Sequence, residues 1–549
     1  MKLLKSMMAL QARDGAISDE ALNTLSKKED VPLYRLEGLR SFYPVFKTTP
    51  STAKRVQVCR DIVCRMRGGS DYCARVREAL AGAEDVEVEE VSCIGRCDSA
   101  PAALVEEVPV SGDPERVSAY AAGRLELPAH QPALTGERWA TDPYSRDDEH
   151  YATLGAYLAR DDAAQARDEI IQTLKDSGLR GLGGAAFPAG MKWDFTRRAA
   201  GEPKYVICNA DESEPGTFKD RVILEANAHL LIEAMILAGW VIGSHRGVIY
   251  LRHEYLPERE TLQRAIDDAY QRGALGADVL GSGFAFELEV FVSPGGYILG
   301  EETALLEALE DKRGEPRNKP PFPTNAGLWG KPTLMNNVET FAAVPIILAR
   351  GAQWWADQGR DRHKGLKYVC VSGDVAKPGV YCIPWGMTVA EVLDLCGGVP
   401  GGKALKAFSP GGSSTNFLPA KLADVPMDFD ALAQAGSAMG TAAMVFVAEG
   451  RDMVGLALSQ VRFFRNESCG KCVPCRVGSH KAVQIVERCQ AAPSGADQYP
   501  VLEELDATLA KTSICGLGQV ALGPLMSVFR FFPDEAGVAA LRGRAGGKT

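Results

Sequence analysis

Apolar positions follow different periods in different stretches of this chain. At the start Leu3, Leu4, Met7, Met8 and Leu10 recur at the spacing of one helical face. Ser18 then precedes Ala21, Leu22 and Leu25 in the same rhythm, which predicts a second helix opened by a hydroxyl cap. Residues 1–50 therefore read as a helical segment whose stripes serve core packing. Between 51 and 125 the pattern shortens to strand-like runs at Arg55–Val58, Val86–Val91 and Ala103–Val105, with a helix predicted over Ser70–Ala81. That is a small α/β unit. Residues 126–164 are polar and proline-bearing and predict a linker. In the block 165–345 helical stretches alternate with strands such as Tyr205–Cys208, Val248–Leu251 and Phe286–Val292, giving α/β layers large enough to bury a cofactor. Residues 366–447 are β-rich and punctuated by glycine, as in a β-grasp, and 448–549 is helical again. The fold class is α/β multidomain.

Composition narrows the possibilities. A length of 549 residues suits several domains. The net charge of −10 argues against a general nucleic-acid binder. The longest apolar stretch, Leu230 to Gly243, contains Glu233 and is too short to span a bilayer, so no membrane insertion is expected. The opening MKLLKSMMALQARDGAISDE has too little apolar sequence for a signal peptide. Fourteen cysteines are far too few for a disulfide scaffold of this length. They are expected to be reduced thiols in the cytoplasm, available as metal ligands.

Two cysteine sets stand out. Cys469, Cys472 and Cys475 form C-x2-C-x2-C in ESCGKCVPCR, and Cys515 follows in SICGLGQ. A triplet with a distant fourth thiolate suits a [4Fe-4S] cubane. Tetrahedral zinc is the alternative, although structural zinc sites usually use two separated pairs. Cys59 and Cys64 in VQVCRDIVCRM, with Cys93 and Cys97 in VSCIGRCDSAP, make two pairs on loops at strand ends. Two thiolates per iron suit a [2Fe-2S] rhomb; zinc or two disulfides are the alternatives. Cys73, on the intervening helix, reads as packing.

Glycine-rich segments supply a second kind of chemistry. SGLRGLGGAAFPAGMKWDF holds Gly181-x-Gly183-x-x-Ala186, a superficial dinucleotide fingerprint. A helix-like stretch precedes it rather than a buried strand, so a standard Rossmann site is rejected. Gly181, Gly183 and Gly184 still let backbone amides approach a flat or phosphorylated ligand, with Lys192 as a phosphate partner. A tight turn with a surface lysine is the plain alternative. Asn209, Asp211, Glu212 and Glu214 follow a strand directly, where α/β proteins place ligands. Gly295, Gly296 and Gly300 precede Glu301, Glu302 and a helix. NKPPFPTNAGL adds Lys319 and Phe322, and LMNNVET adds Asn336, Asn337 and Thr340. Together they predict one ligand site.

These motifs carry a family resemblance. From about Glu169 to Glu535 the chain resembles the flavin-bearing, NADH-oxidising subunit of respiratory complex I. Residues 1–125 resemble its thioredoxin-like [2Fe-2S] neighbour. Fused versions in this family serve as diaphorase subunits of soluble NAD-linked formate dehydrogenases and NAD-reducing hydrogenases. The intact first cysteine set and the RHEY segment beginning at Arg252 make the formate dehydrogenase β subunit the expected likeness.

The resemblance implies a thioredoxin-like domain at 51–125, an FMN- and NADH-binding domain at 165–345, an SLBB-type β-grasp at 366–447 and a [4Fe-4S] domain at 448–549. It implies FMN, one [4Fe-4S] and one [2Fe-2S], with NAD(H) as substrate. By motif, Gly181, Gly183, Gly184, Lys192, Asn209, Asp211, Glu212, Gly300, Asn336, Asn337 and Thr340 would hold the flavin. Phe187, Phe195, Glu214, Tyr297, Glu301, Glu302, Lys319 and Phe322 would shape the nicotinamide nucleotide site. The charge of Glu214 would repel a 2′-phosphate and favour NADH. The chain departs from the family loop GRGGAGFPTG at Leu182, Ala186 and Ala189, and Leu299 stands where the family often has cysteine. Ala186 is awkward if that position needs a positive φ.

The expected function is NADH:acceptor electron transfer, with hydride exchanged at the flavin and single electrons at the clusters. No catalytic acid–base dyad is required. The expected partner is a large molybdenum- or tungsten-dependent formate-oxidising α subunit. The alternatives are a diaphorase subunit of a hydrogenase or complex I-like enzyme, and a non-enzymatic relay or scaffold. The N-terminal domain, with its own core, is expected to fold separately.

Overall fold

A computed structural model describes residues 1–50, 53–83, 85–128, 140–491 and 498–537. The opening stripes form helices Lys2–Asp14, Asp19–Glu29 and Leu33–Phe42. Ser18 caps the second, its Oγ accepting from the Ala21 amide at 3.1 Å. Leu3, Leu4 and Met7 are buried, whereas Met8 and Leu10 are only half-buried.

The first sheet comprises β1 (Lys54–Cys59), β2 (Val86–Val91), β3 (Ala102–Val105) and β4 (Val108–Ser111), in the order β2-β1-β3-β4. β1 and β2 are parallel, and β3 runs antiparallel to both its neighbours. A small core of its own includes Val56, Val58, Tyr72, Val76, Val105 and Val117. Cys73 belongs to it, as the packing reading expected. The cysteine placement differs from the loop reading. Cys59 is the last residue of β1, and Cys64 lies inside a helix, Ile62–Gly68. That helix has only seven residues, too short for a periodic signal.

The 126–164 stretch is not a plain linker. Residues 129–139 lie outside the described residues, but from 140 onwards the chain packs against the large α/β block. Tyr144, Tyr151 and Leu154 are buried, and Ala152–Leu158 is helical. The reason is a buried carboxylate. Glu233 accepts from the Tyr144 hydroxyl at 2.7 Å and the Leu154 amide at 2.9 Å, and burial pushes its pKa up to about 7. A few anchors hidden in polar sequence thus satisfy a group that the core could not leave unpaired.

The second sheet is fully parallel. It comprises β5 (Tyr205–Ala210), β6 (Arg246–Leu251), β7 (Glu287–Val292) and β8 (Thr333–Asn337), in the order β7-β6-β5-β8. Helix Ala228–Ile242 packs behind it and is buried almost throughout. Among the described residues no single helix is long and apolar enough to cross a membrane.

The third sheet comprises β9 (Leu366–Gly373), β10 (Gly379–Pro384), β11 (Leu405–Ser409), β12 (Leu418–Pro419) and β13 (Ala443–Ala448), in the order β10-β9-β13-β11-β12. Its centre pairs β9 and β13 in parallel; its outer pairs are antiparallel. The C-terminal helices include Met453–Asn466, Val473–Ala491, Tyr499–Thr512 and Gly523–Phe531.

Two large cores cross these boundaries. One joins the parallel sheet to the β-grasp sheet. The other joins the opening helices, Cys59, Cys64, Cys93 and Cys97, residues of β5 and β6, and the C-terminal helices. The N-terminal unit therefore has its own core but shares its cysteine face with the rest of the chain.

Candidate functional site

The C-terminal ends of β5 and β8 lie side by side, with Asn209 paired to Asn337 in the parallel register. This is where open α/β sheets place ligands. A cavity of about 1010 Å³ opens here. Its wall gathers Gly181, Gly183, Phe187, Lys192, Phe195, Asn209 and Gly300 with Glu301, Glu302, Lys319, Phe322, Asn336, Asn337 and Thr340.

The glycine loop is shaped by its own backbone. Gly181 donates to the Phe187 carbonyl at 2.8 Å, and Ala186 donates to the Gly181 carbonyl at 3.2 Å. Thr340 pins the loop by accepting from the Leu182 amide at 2.9 Å. A Cβ on Gly183 would come within 2.9 Å of the Asn337 Cβ, so only glycine fits there. Ala186 has φ 56°, the left-handed conformation that its side chain makes costly.

Polar groups around the cavity are positioned by residues behind them. Lys192, half-buried, donates to the Met335 carbonyl at 3.1 Å, and burial pushes its pKa down. The Asn209 side chain donates to the Gly300 carbonyl at 2.8 Å. Asn337 donates to Asp220 at 2.5 Å and accepts from Lys219 at 3.2 Å. Lys219 is itself buried between Asp220 at 2.6 Å and Glu339 at 3.0 Å, and these carboxylates hold its pKa up against the cost of burial. The sequence reading missed this support, although its signal stood in the TFKDR run. Lys319 bridges Glu301 at 2.9 Å and Glu302 at 2.6 Å. Phe187, Phe195 and Phe322 are 41%, 46% and 53% exposed, leaving ring surface free to stack at the rim.

Five of the expected ligand-site residues lie off this wall: Gly184, Asp211, Glu212, Glu214 and Tyr297. The carboxylates in this group have other partners. Asp211 accepts from Ser213 at 2.6 Å and Ser293 at 3.1 Å, and burial pushes its pKa up to about 7. Glu212 accepts from the Asp220 and Arg221 amides at 2.8 and 3.1 Å and from Tyr255 Oη at 2.9 Å. Burial, then neighbouring Asp220, raises its pKa to about 7. Glu214 accepts from Tyr297 Oη at 2.6 Å and the Ser414 amide at 2.5 Å. It faces the β-grasp domain, so the carboxylates at the cavity are Glu301 and Glu302 instead.

Cys515 joins the cavity wall, a placement missed by the sequence reading. Cys469, Cys472 and Cys475 lie in mutual electrostatic range, and Ser468 Oγ is 3.2 Å from Cys475 Sγ. Burial pushes the Cys475 and Cys515 thiols up to about 11, so metal entry must displace their protons. The N-terminal set is tighter. Cys93 Sγ and Cys97 Sγ are 3.5 Å apart, the Gly95 amide donates to Cys93 Sγ at 3.4 Å, and Cys59 meets both Cys64 and Cys93. Cys59, Cys64, Cys93 and Cys97 form no disulfide in the structure. Among the described residues no group of three or more His, Cys, Asp or Glu is arranged about a single ion. A cubane asks for one thiolate per iron rather than four on one centre.

Buried charge holds the N-terminal set against the α/β block. Arg96 pairs with Glu258 at 2.8 Å and Arg221 with Asp98 at 2.7 Å. Between the two cysteine sets, Glu467 accepts from Ser92 Oγ at 2.5 Å and from the Tyr297 amide at 2.9 Å.

Residues 174–346 match the Nuo51 FMN-binding domain family. Residues 455–538 match the NADH-ubiquinone oxidoreductase-F iron-sulfur binding region. Residues 1–119 match the thioredoxin-like [2Fe-2S] ferredoxin family, and 368–418 the SLBB domain. The second F-type component of NADH-quinone oxidoreductase in Rhizobium meliloti is 45% identical over 67% of this chain and 88% of its own length. The HndC component of the NADP-reducing hydrogenase of Solidesulfovibrio fructosivorans is 41% identical over 72% of this chain and 80% of its own. A crystal structure of NAD+-reducing [NiFe]-hydrogenase in the H2-reduced state contains a chain with TM-score 0.84 and 31% identity. That similarity covers 97% of this chain and 91% of the other.

Proposed function

This chain belongs to the F-type family of NADH-quinone oxidoreductase components, and from that premise we propose how its residues divide the work. It is an NADH-dependent flavin and iron–sulfur oxidoreductase subunit, a diaphorase module with FMN, [4Fe-4S] and [2Fe-2S] as cofactors and NADH as substrate. Flavin supplies the exchange between two-electron hydride transfer and single-electron steps.

The residues around the cavity fit that group. Gly183 lets the loop backbone approach a phosphate closely, and half-buried Lys192 offers it a cation. Asn209, Asn336 and Asn337 present polar edges at the strand ends. Phe187, Phe195 and Phe322 would stack the nicotinamide nucleotide, with Glu301 and Glu302 accepting from ribose hydroxyls. Lys319 holds those two carboxylates. Glu212 and Asp211 lie behind the wall, through the Asp220 amide and the Asn209 side chain respectively. Cys469, Cys472, Cys475 and Cys515 would hold the cubane, and Cys59, Cys64, Cys93 and Cys97 the rhomb.

One observation carries this reading: a single cavity whose wall includes both the glycine–lysine–asparagine cradle and Cys515. Hydride and single-electron chemistry thus meet in one chamber. No side chain is required as acid or base, because the hydride carries its own electrons. The test is NADH–ferricyanide turnover of the loaded chain. Lys192→Ala should release FMN and abolish turnover; full flavin retention would refute the cradle.

For the partner we propose a molybdenum- or tungsten-dependent formate-oxidising subunit, with this chain as the β subunit of a cytoplasmic NAD-dependent formate dehydrogenase. The intact N-terminal cysteine set and the RHEY segment support that reading. A second reading, the diaphorase subunit of an NAD-reducing hydrogenase, is supported by the near full-length likeness to the hydrogenase chain. Co-purification, followed by formate- and H2-dependent NAD+ reduction, separates the two.

A further inference from the structure

Arg252 follows the last residue of β6 and is 3% exposed. Its guanidinium reaches across the boundary between the α/β block and the N-terminal unit. One Nη donates to the Cys93 carbonyl, the other to the Glu212 carbonyl, and Nε donates to Glu254 at 2.8 Å. Its Cζ lies 5.4 Å from the Tyr255 ring centre. On the other side, the Cys93 amide donates to Asp61 at 2.7 Å. Cys93 is therefore clamped between a carboxylate of its own domain and a cation from another.

We propose that Arg252 is a positioning residue that sets the reduction potential of the [2Fe-2S] cluster through Cys93. The inference rests on the reading that Cys59, Cys64, Cys93 and Cys97 bind that cluster. On reduction the cluster takes up one electron and one further negative charge. A buried cation hydrogen-bonded to the backbone of a ligand favours the reduced form, because charge and hydrogen bonding near the cluster set its potential. Of the neighbouring charges, the Asp61 carboxyl group opposes Arg252 across Cys93, whereas two cations are already paired. Arg96 is paired with Glu258, and Arg221 with Asp98. Glu254 opposes Arg252 directly, but its side chain is 26% exposed and therefore more screened than the arginine.

The experiment is an EPR-monitored redox titration of the full chain loaded with its cofactors. Arg252→Met should cut the reduced-to-oxidised ratio at the wild-type midpoint about tenfold, a fall of about 59 mV for one electron. Arg252→Lys should recover most of the shift by restoring charge. Glu254→Gln should move the midpoint upwards. A structural role alone would not give opposite signs. An unchanged midpoint in Arg252→Met, or a downward shift in Glu254→Gln, would overturn the proposal. If Arg252→Met loses the cluster, the sign measured for Glu254→Gln decides. A wild-type chain with no [2Fe-2S] signal would refute the ligand reading, and this proposal with it.

Discussion

The N-terminal cysteines Cys59, Cys64, Cys93 and Cys97 are 2–4% exposed, and the segment around Cys93 and Cys97 is fastened by ion pairs to another domain. In the C-terminal set only Cys475, at 5%, is buried; Cys469, Cys472 and Cys515 are half-buried. Cys515 faces the cavity, and neighbouring Val473 and Val477 are more than half exposed. One set is enclosed by its own protein, and the other opens onto the chamber where substrate is expected. Burial and pairing protect a cluster and tune it; access lets a cluster exchange electrons with what binds beside it.

The most drastic way to test this contrast is to remove one ligand from each set. Cys472→Ala should lose about four irons and the reduced cubane EPR signal while FMN is retained. Cys97→Ala should lose about two irons and also lower the Tm of the whole chain, because its site lies in the shared core. Equal Tm values for the two variants would break the contrast. The next largest effect concerns the fastening. Arg96→Met leaves Glu258, which is fully buried, without its cation. We expect about 3–5 kcal/mol of destabilisation, read as early proteolysis of the N-terminal unit while the rest of the chain survives. A fragment ending at residue 128 should keep its small core and still bind iron, but yield it to a chelator faster than the full chain does. The smallest effect lies on the open side. Ala186→Gly relieves the left-handed alanine of the cavity loop and should stabilise the protein by about 1 kcal/mol, seen as a raised Tm.

Much of this arrangement was legible in the chain. Local signals gave the helix cap at Ser18 and the strands beneath the cavity, whereas the Asn337 side chain that excludes a Cβ at Gly183 comes from far along the chain. Ala186 takes the positive φ that its place at a family glycine raised as a difficulty. What stayed hidden depends on distant partners. Glu214 reads as a ligand residue because it follows a strand, yet the Ser414 amide, 200 residues away in sequence, claims it. Cys515 reaches the cavity only through helix packing, and Arg96 meets Glu258 across 162 residues. The 126–164 stretch reads as a linker because its few aromatic anchors sit in polar sequence. Periodicity reports one element at a time, and none of these contacts is periodic.

The cavity wall also has a timetable. Its residues run from Gly181 to Gln519, so the chamber cannot close until nearly all of the described chain has left the ribosome. The N-terminal cysteines emerge long before, but their clamp waits for Arg252 and Glu258. Domains fold in order of synthesis. Assembly should therefore run from the enclosed site to the open one, with the chamber finished last.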